Sequence, residues 1–314
     1  MARYRVTSMI SPGRDDRRRT RQDMSPLQLV KLTALMERTS GSPEVRIGLI
    51  DGHVAAQHPD LASERLSEIP GHKGATCTHT NSTACLHATF IAGILSARRN
   101  SSAPAICPNC TLLIRPIFAE STVGREHMPS ATPKELAGAI MECIDTGARV
   151  INLSLALAQP STKGEEALEE VLNEAVRRGV IVVAAAGNQG TLGSSGITRH
   201  PWVIPVVACD LRGRPMNESN LGRSIGSRGL SAPGDAITSL SAEGQPITLG
   251  GTSVAVPFVS GAIALLWSEF PAATAAQIKL AVSQAFVPRR VSVVPPLLDA
   301  AAAYQILLTA NAKR

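Results

Sequence analysis

Gly250-Gly251-Thr252-Ser253-Val254-Ala255-Val256-Pro257-Phe258-Val259-Ser260-Gly261 runs straight on into Ala262-Ile263-Ala264-Leu265-Leu266-Trp267. A glycine pair leads into a Thr-Ser step, and an apolar helix pattern begins there and continues unbroken. A serine in the first turn of a buried helix is held rigidly, near the partial positive charge of the helix N-terminus. Such a hydroxyl is fixed, open at one end and backed by packed side chains, which suits a nucleophile. Gly-Thr-Ser by itself is equally an ordinary N-cap on a core helix. The rest of the chain has to decide.

Upstream, strand and helix patterns alternate. Val45-Arg46-Ile47-Gly48-Leu49-Ile50 reads as a strand delivering Asp51-Gly52 at its C-terminal end, the edge where chemistry collects in open α/β sheets. A lone Asp there also serves as a turn cap. After a Thr-rich polar loop, Leu86 to Leu95 reads as a helix with His87 at its start. Residues 111–117 form a strand, and residues 132–147 a helix with a capping box from Thr132 to Glu135 and Gly147 at its end. Arg149 to Leu155 is a strand, Gly164 to Arg178 an amphipathic helix, and Val180 to Ala186 a buried strand ended by Gly187-Asn188. Trp202 to Cys209 supplies one more strand. These crossovers have the length a parallel sheet requires, which predicts an α/β fold of three layers, αβα, around a mostly parallel central sheet. Residues 45–310 read as one domain. Ser25-Pro26 opens a short helix that breaks at Gly41-Ser42-Pro43, so residues 25–44 form a helix and turn, and residues 1–24 are expected to be a disordered basic tail.

Composition narrows the function. The chain has 314 residues and a net charge of +6, with nine Lys/Arg against four Asp/Glu in the first 40. The basic character therefore belongs to the N-terminal segment, where no aromatics interleave to stack on bases, and no nucleic-acid partner is expected. No apolar run follows the basic start, and none reaches the ~18 uninterrupted apolar residues of a membrane span. The expectation is a soluble, cytoplasmic protein with no membrane partner, and its oligomeric state is open. Six cysteines in a reducing compartment should be mostly free thiols. Cys77 and Cys85 flank a polar loop and would pair only under oxidant. Cys107-Pro108-Asn109-Cys110 is a CxxC with no second CxxC or matched His pair, so neither a metal site nor a cofactor is expected.

Asp51, His87 and Ser253 thus stand at element ends, in that order. Nucleophilic acyl transfer needs a hydroxyl, a base to take its proton and a carboxylate to hold the base in the right tautomer. Asn188, on a sharp turn after a buried strand, is placed to donate an amide N–H to an oxyanion. Asp51-Gly52, His87-Ala88-Thr89, Ala185-Ala186-Gly187-Asn188 and Gly251-Thr252-Ser253-Val254-Ala255 together resemble the four signature blocks of the subtilisin-like serine proteases (subtilases, peptidase family S8), in order and over nearly all of residues 45–285. Within that family, Leu49 to Gly52, Ile106 to Cys110 and Ile114 to Phe118 most resemble the cyanobactin (patellamide-type) proteases that mature precursor peptides.

The resemblance implies a serine endopeptidase with Ser253 as nucleophile, His87 as general acid/base, Asp51 as orienting carboxylate, and Asn188 with the Ser253 N–H as oxyanion hole. It also implies that Ser154-Leu155-Ala156 pairs with an extended peptide substrate and that Ala185, Ala186 and Gly187 wall the primary pocket. Departures from the family pattern fall on the pocket's shape. Ala88 and Phe90 replace a usual Gly and His after the catalytic histidine, Val256 and Phe258 replace a Ser and a His, and Ala156 replaces a Gly. Segment Ser194 to Pro201, expected to floor the pocket, matches poorly. No separate propeptide domain is expected before Asp51, and the loop Ala97-Arg98-Arg99-Asn100 beside Asp60 carries two cations where family members bind calcium. The alternative is a catalytically weak member of the fold that binds a peptide within a biosynthetic complex.

Overall fold

The alternation of strand and helix is realised in the computed structural model, which describes residues 4–6, 9–10, 24–69, 76–120, 130–157, 165–284 and 292–312. Its strands are β1 (Tyr4–Val6), β2 (Met9–Ile10), β3 (Arg46–Asp51), β4 (Leu66–Glu68), β5 (Thr111–Pro116), β6 (Ser130–Ala131), β7 (Val150–Leu153), β8 (Leu155–Leu157), β9 (Ile181–Ala185), β10 (Ile204–Cys209), β11 (Leu230–Pro233), β12 (Ile237–Ser239) and β13 (Ile247–Gly250). The helices are α1 (Pro26–Leu29), α2 (Thr33–Arg38), α3 (Thr83–Ser96), α4 (Pro133–Asp145), α5 (Glu165–Arg178), α6 (Gly196–Arg199), α7 (Arg223–Arg228), α8 (Thr252–Glu269), α9 (Ala275–Gln284) and α10 (Ala300–Asn311). Seven strands form one sheet in the order β11-β10-β9-β7-β3-β5-β4, and each neighbouring pair is parallel.

Its central strands are almost wholly apolar because both faces are covered. Side chains alternate between two cores, as the two-residue repeat of a strand demands. In β9, Ile181, Val183 and Ala185 join the core that contains α3 and α8, while Val182 and Ala184 join the one that contains α4 and α5. Gly48 in β3 lets α4 come close, since a Cβ there would lie 2.9 Å from Cys143 Sγ. The capping box of Thr132 and Glu135 opens α4 as expected, with Pro133 at its first position. Helix α8 is long and apolar enough to cross a membrane, but 89% of it is buried inside this fold. It is the core helix under the sheet.

Three features depart from expectation. The helix read from Ser25 onward is two helices, because Lys31 takes φ 54° and its ammonium pairs with Asp299, the cap of α10. The segment expected to be a free tail contributes strands: β1 lies between β6 and β8, and β2 pairs with β13, all antiparallel. The rest of residues 1–24, apart from Met24, lies outside the described residues. Finally, Cys77 and Cys85 are joined in a disulfide, their Cα atoms 5.8 Å apart, whereas Cys107, Cys110, Cys143 and Cys209 are free and buried. A short polar loop brings the first two within bonding reach.

Candidate active site

Asp51 ends β3, in the middle of the sheet, and is fully buried. Its Oδ1 accepts from the Gly52 N–H at 2.8 Å and lies 2.9 Å from His87 Nδ1. That approach depends on Gly52, where a Cβ would sit 2.3 Å from the Ala84 carbonyl oxygen. The absent side chain lets the first turn of α3 rest against the end of β3, and His87 in the next turn comes over the carboxylate. Helix α3 is buried almost throughout. Thr89 Oγ1 accepts from the Ala55 N–H at 2.9 Å, and Ser239 Oγ donates to the Phe90 carbonyl at 2.8 Å. The disulfide ties Cys85, in the first turn, to the preceding loop.

Glu120 secures that loop from the other side. It accepts from the Thr78 and His79 N–H groups at 2.9 and 2.8 Å, also from the Thr78 hydroxyl, and lies 3.8 Å from His53. Burial pushes its carboxyl up, but the Thr78 and His79 donors and His53 outweigh this and hold it below the usual carboxylate value. Cys77, Cys85 and Glu120 form the one cluster of potential metal ligands among the described residues, and two of the three are spent on the disulfide.

Ser253 is the second residue of α8 and has no exposed surface. Gly251 before it has φ 122°, a conformation that glycine tolerates and that turns β13 into the helix. A chain of buried bonds fixes the first turn from below. Ser260 Oγ donates to Asn152 Oδ1 at 3.0 Å, Asn152 Nδ2 donates to Ser154 Oγ at 2.8 Å, and Ser154 Oγ donates to the Ser253 carbonyl at 2.8 Å. From the side, Asn188 Oδ1 accepts from the Thr252 N–H at 3.0 Å, and the Gly187 N–H donates to Thr252 Oγ1 at 3.2 Å. Anchoring the Asn188 side chain by its oxygen leaves its Nδ2 free to donate.

Helices α3 and α8 pack directly on each other. The structure therefore joins Asp51 to His87 by a hydrogen bond and Asn188 to the turn that carries Ser253. It forms no bond between His87 Nε2 and Ser253 Oγ. Instead His87 Nε2, Ser253 Oγ, Asn188 Nδ2 and Asp51 Oδ2 are all buried and without a partner. Buried polar atoms are rarely left unpaired. Between them they offer an acceptor, a hydroxyl and an amide donor, the groups that acyl chemistry needs.

Ser154 is buried beside Ser253, and Leu155 and Ala156 continue into β8. Ala185 ends β9, and Ala186 and Gly187 lead to Asn188; all three are buried. Ala88, Phe90, Val256 and Phe258, the departures next to the histidine and the serine, are fully buried core side chains. Sequence reasoning passed over Asn152, Ser260 and Asn220. Asn220 shapes the turn around Asn188: its Oδ1 accepts from the Gln189 and Thr191 N–H groups at 3.0 and 3.1 Å, and its Nδ2 donates to the Ala186 carbonyl at 3.2 Å. Asn152 and Ser260 did leave a signal. Each interrupts an otherwise apolar buried run, and a buried polar group needs a partner.

The model of the subtilase family matches residues 42–296. Subtilisin DY of Bacillus licheniformis is 30% identical over 258 residues, covering 81% of this chain and 87% of that protein. The thermostable alkaline protease of Halalkalibacterium halodurans is 31% identical over 244 residues, and the match spans 61% of its length. Among solved structures, the protease domain of PatA superposes with a TM-score of 0.77 at 29% identity, covering 86% of this chain and 97% of that one. The prenylagaramide maturation protease PagA gives 0.75 at 27% identity, covering 88% and 98%.

Proposed function

The chain belongs to the subtilase family and is a serine endopeptidase, and from that premise we propose that Ser253, His87 and Asp51 carry its chemistry on a precursor peptide of natural-product maturation. In this reading Ser253 Oγ attacks the scissile carbonyl carbon while His87 Nε2 takes its proton. Asp51 holds the Nδ1–H and stabilises the imidazolium. Asn188 Nδ2 and the Ser253 N–H receive the oxyanion, where fixed donors in a site closed to water act most strongly. His87 then returns the proton to the leaving amine, and water releases the acyl group by the same steps in reverse.

The observation that carries the assignment is the 2.9 Å contact between His87 Nδ1 and Asp51 Oδ1, with Nε2, Ser253 Oγ and Asn188 Nδ2 buried and unbonded beyond it. The choice of a precursor peptide rests on the likeness to PagA, a maturation protease, and to PatA. A fluorophosphonate probe tests the nucleophile: one equivalent should attach to Ser253 and none to Ser253→Ala. Folded protein that takes up no label would sink the assignment. Mass spectrometry of products from a precursor-peptide library, scored for cut and uncut sequences, tests the substrate class.

A further inference from the structure

We propose that, once the Cys77–Cys85 disulfide is opened by reduction, both thiolates, the Glu120 carboxylate and His53 hold one zinc ion, which then serves as the clasp on the loop before α3. Three segments of chain meet there. Ligand atoms of Cys77, Cys85 and Glu120 all lie within 4.8 Å of one another. The Cys77 N–H donates to the Val54 carbonyl at 3.0 Å, which draws residues 53 and 54 alongside the loop. His53 Nδ1 lies 3.8 Å from Glu120 Oε1 and is a buried ring nitrogen with no hydrogen-bond partner. Zinc takes thiolate, imidazole and carboxylate ligands in a tetrahedron, and bonds of about 2.0–2.3 Å set their atoms roughly 3.3–3.8 Å apart. The gap that remains is within the reach of side-chain rotation.

The chemistry of the donors matches. Thiolates select zinc over calcium and magnesium. A ligating carboxylate is itself held by hydrogen bonds, and Glu120 already accepts from the Thr78 and His79 N–H groups. Burial works against its ionisation, but those donors and His53 hold its carboxyl below the usual value, so it is charged as a metal ligand must be. Cys85 is buried and the Glu120 side chain is 8% exposed, while half-buried Cys77 leaves an entry path. The step balances. A phosphine reductant takes the oxygen of one water to become its oxide, the two hydrogens and two electrons go to the sulfurs, and zinc then displaces both thiol protons. In a reducing medium the loop thus exchanges one clasp for another, and Cys85 stays fixed two residues before His87.

The test uses the full chain and cobalt(II), which occupies zinc sites and gives a thiolate-to-metal charge-transfer band. After reduction by a phosphine under argon, wild type should bind one equivalent with that band, and the unreduced protein none. Cys77→Ser, Cys85→Ser should show no band even when reduced, although Cys107, Cys110, Cys143 and Cys209 remain. Glu120→Gln and His53→Ala keep both thiols. Each should weaken cobalt binding by at least about ten-fold, the least that even an outer-shell partner is worth, read by competition with a chromophoric chelator. Zinc at a hundred times its Kd should raise the melting temperature of reduced wild type by about 4 °C and leave the double serine variant unmoved. No band in reduced wild type, a band of equal strength in the double serine variant, or unchanged affinity in Glu120→Gln or His53→Ala overturns the proposal. Fluorophosphonate labelling of Ser253 reads the peptidase assignment separately, so the two fail independently.

Discussion

The two halves of the site are held by different kinds of force. The serine half is fixed inside the core: Ser260, Asn152 and Ser154 pass hydrogen bonds up to the Ser253 carbonyl, and Asn188 and Gly187 clamp Thr252 from the side. All but Asn188 are buried, so water and salt have little hold on them. The histidine half is an apolar helix pressed against a glycine, with its leading loop fastened by a disulfide and by the Glu120 carboxylate. Those fastenings respond to reductant and acid. One half should therefore behave as part of the core and the other as an adjustable attachment.

The largest expected effect is on the histidine half alone. Asp51→Asn should lower kcat by about 10⁴ with little change in the melting temperature, a magnitude taken from serine proteases with this triad. An activity within ten-fold of wild type would remove Asp51 from the mechanism. Next is Gly52→Ala. Its new Cβ meets a backbone carbonyl that no rotamer change can move, so stability should fall by about 3 kcal/mol, the upper end for overpacking, and activity should fall with it. Calorimetry together with a peptide assay reads both.

Breaking the disulfide comes third. For the loop between Cys77 and Cys85, closure entropy is worth about 2–3 kcal/mol. Reductant should lower the melting temperature of the wild type and leave a Cys77→Ser, Cys85→Ser variant unmoved. Equal responses would show that the clasp bears no load. Ser260→Ala probes the opposite half: losing the donor to Asn152 should cost about 1–2 kcal/mol, and unlike the disulfide effect it should be the same with and without reductant.

The smallest effect concerns pH. The folded Glu120 carboxyl lies below its ordinary value, so its stabilisation is present above the unfolded pKa and is lost as pH falls through the folded one. Wild type and Glu120→Gln should differ in melting temperature near neutrality, and the difference should shrink as pH falls below the ordinary glutamate value of about 4.3. A constant offset across that range would contradict the assignment of Glu120 as an acid-sensitive fastener.

Reading the sequence recovered the framework because its signals are local. Apolar runs such as Ile181–Ala185 and the caps at Thr132 and Gly147 report their own conformation, and four short blocks report a family. The same logic misread the first helix, where a single residue, Lys31, turns against the pattern to meet Asp299 at the far end of the chain. It also missed the N-terminal strands. Tyr4-Arg5-Val6 has no alternation long enough to register, and it becomes a strand only because β6 and β8 stand ready on either side.

By itself, then, the sequence determined the alternating αβ architecture and the family, since each is written in residues close together along the chain. The tertiary structure alone decided that Asp51 and His87 touch, that Asn152 and Ser260 brace the first turn of α8, and that β1 lies between β6 and β8. Those are contacts between segments tens to hundreds of residues apart. They are chosen by which surfaces remain to be buried and which polar atoms remain to be paired after the local elements have formed.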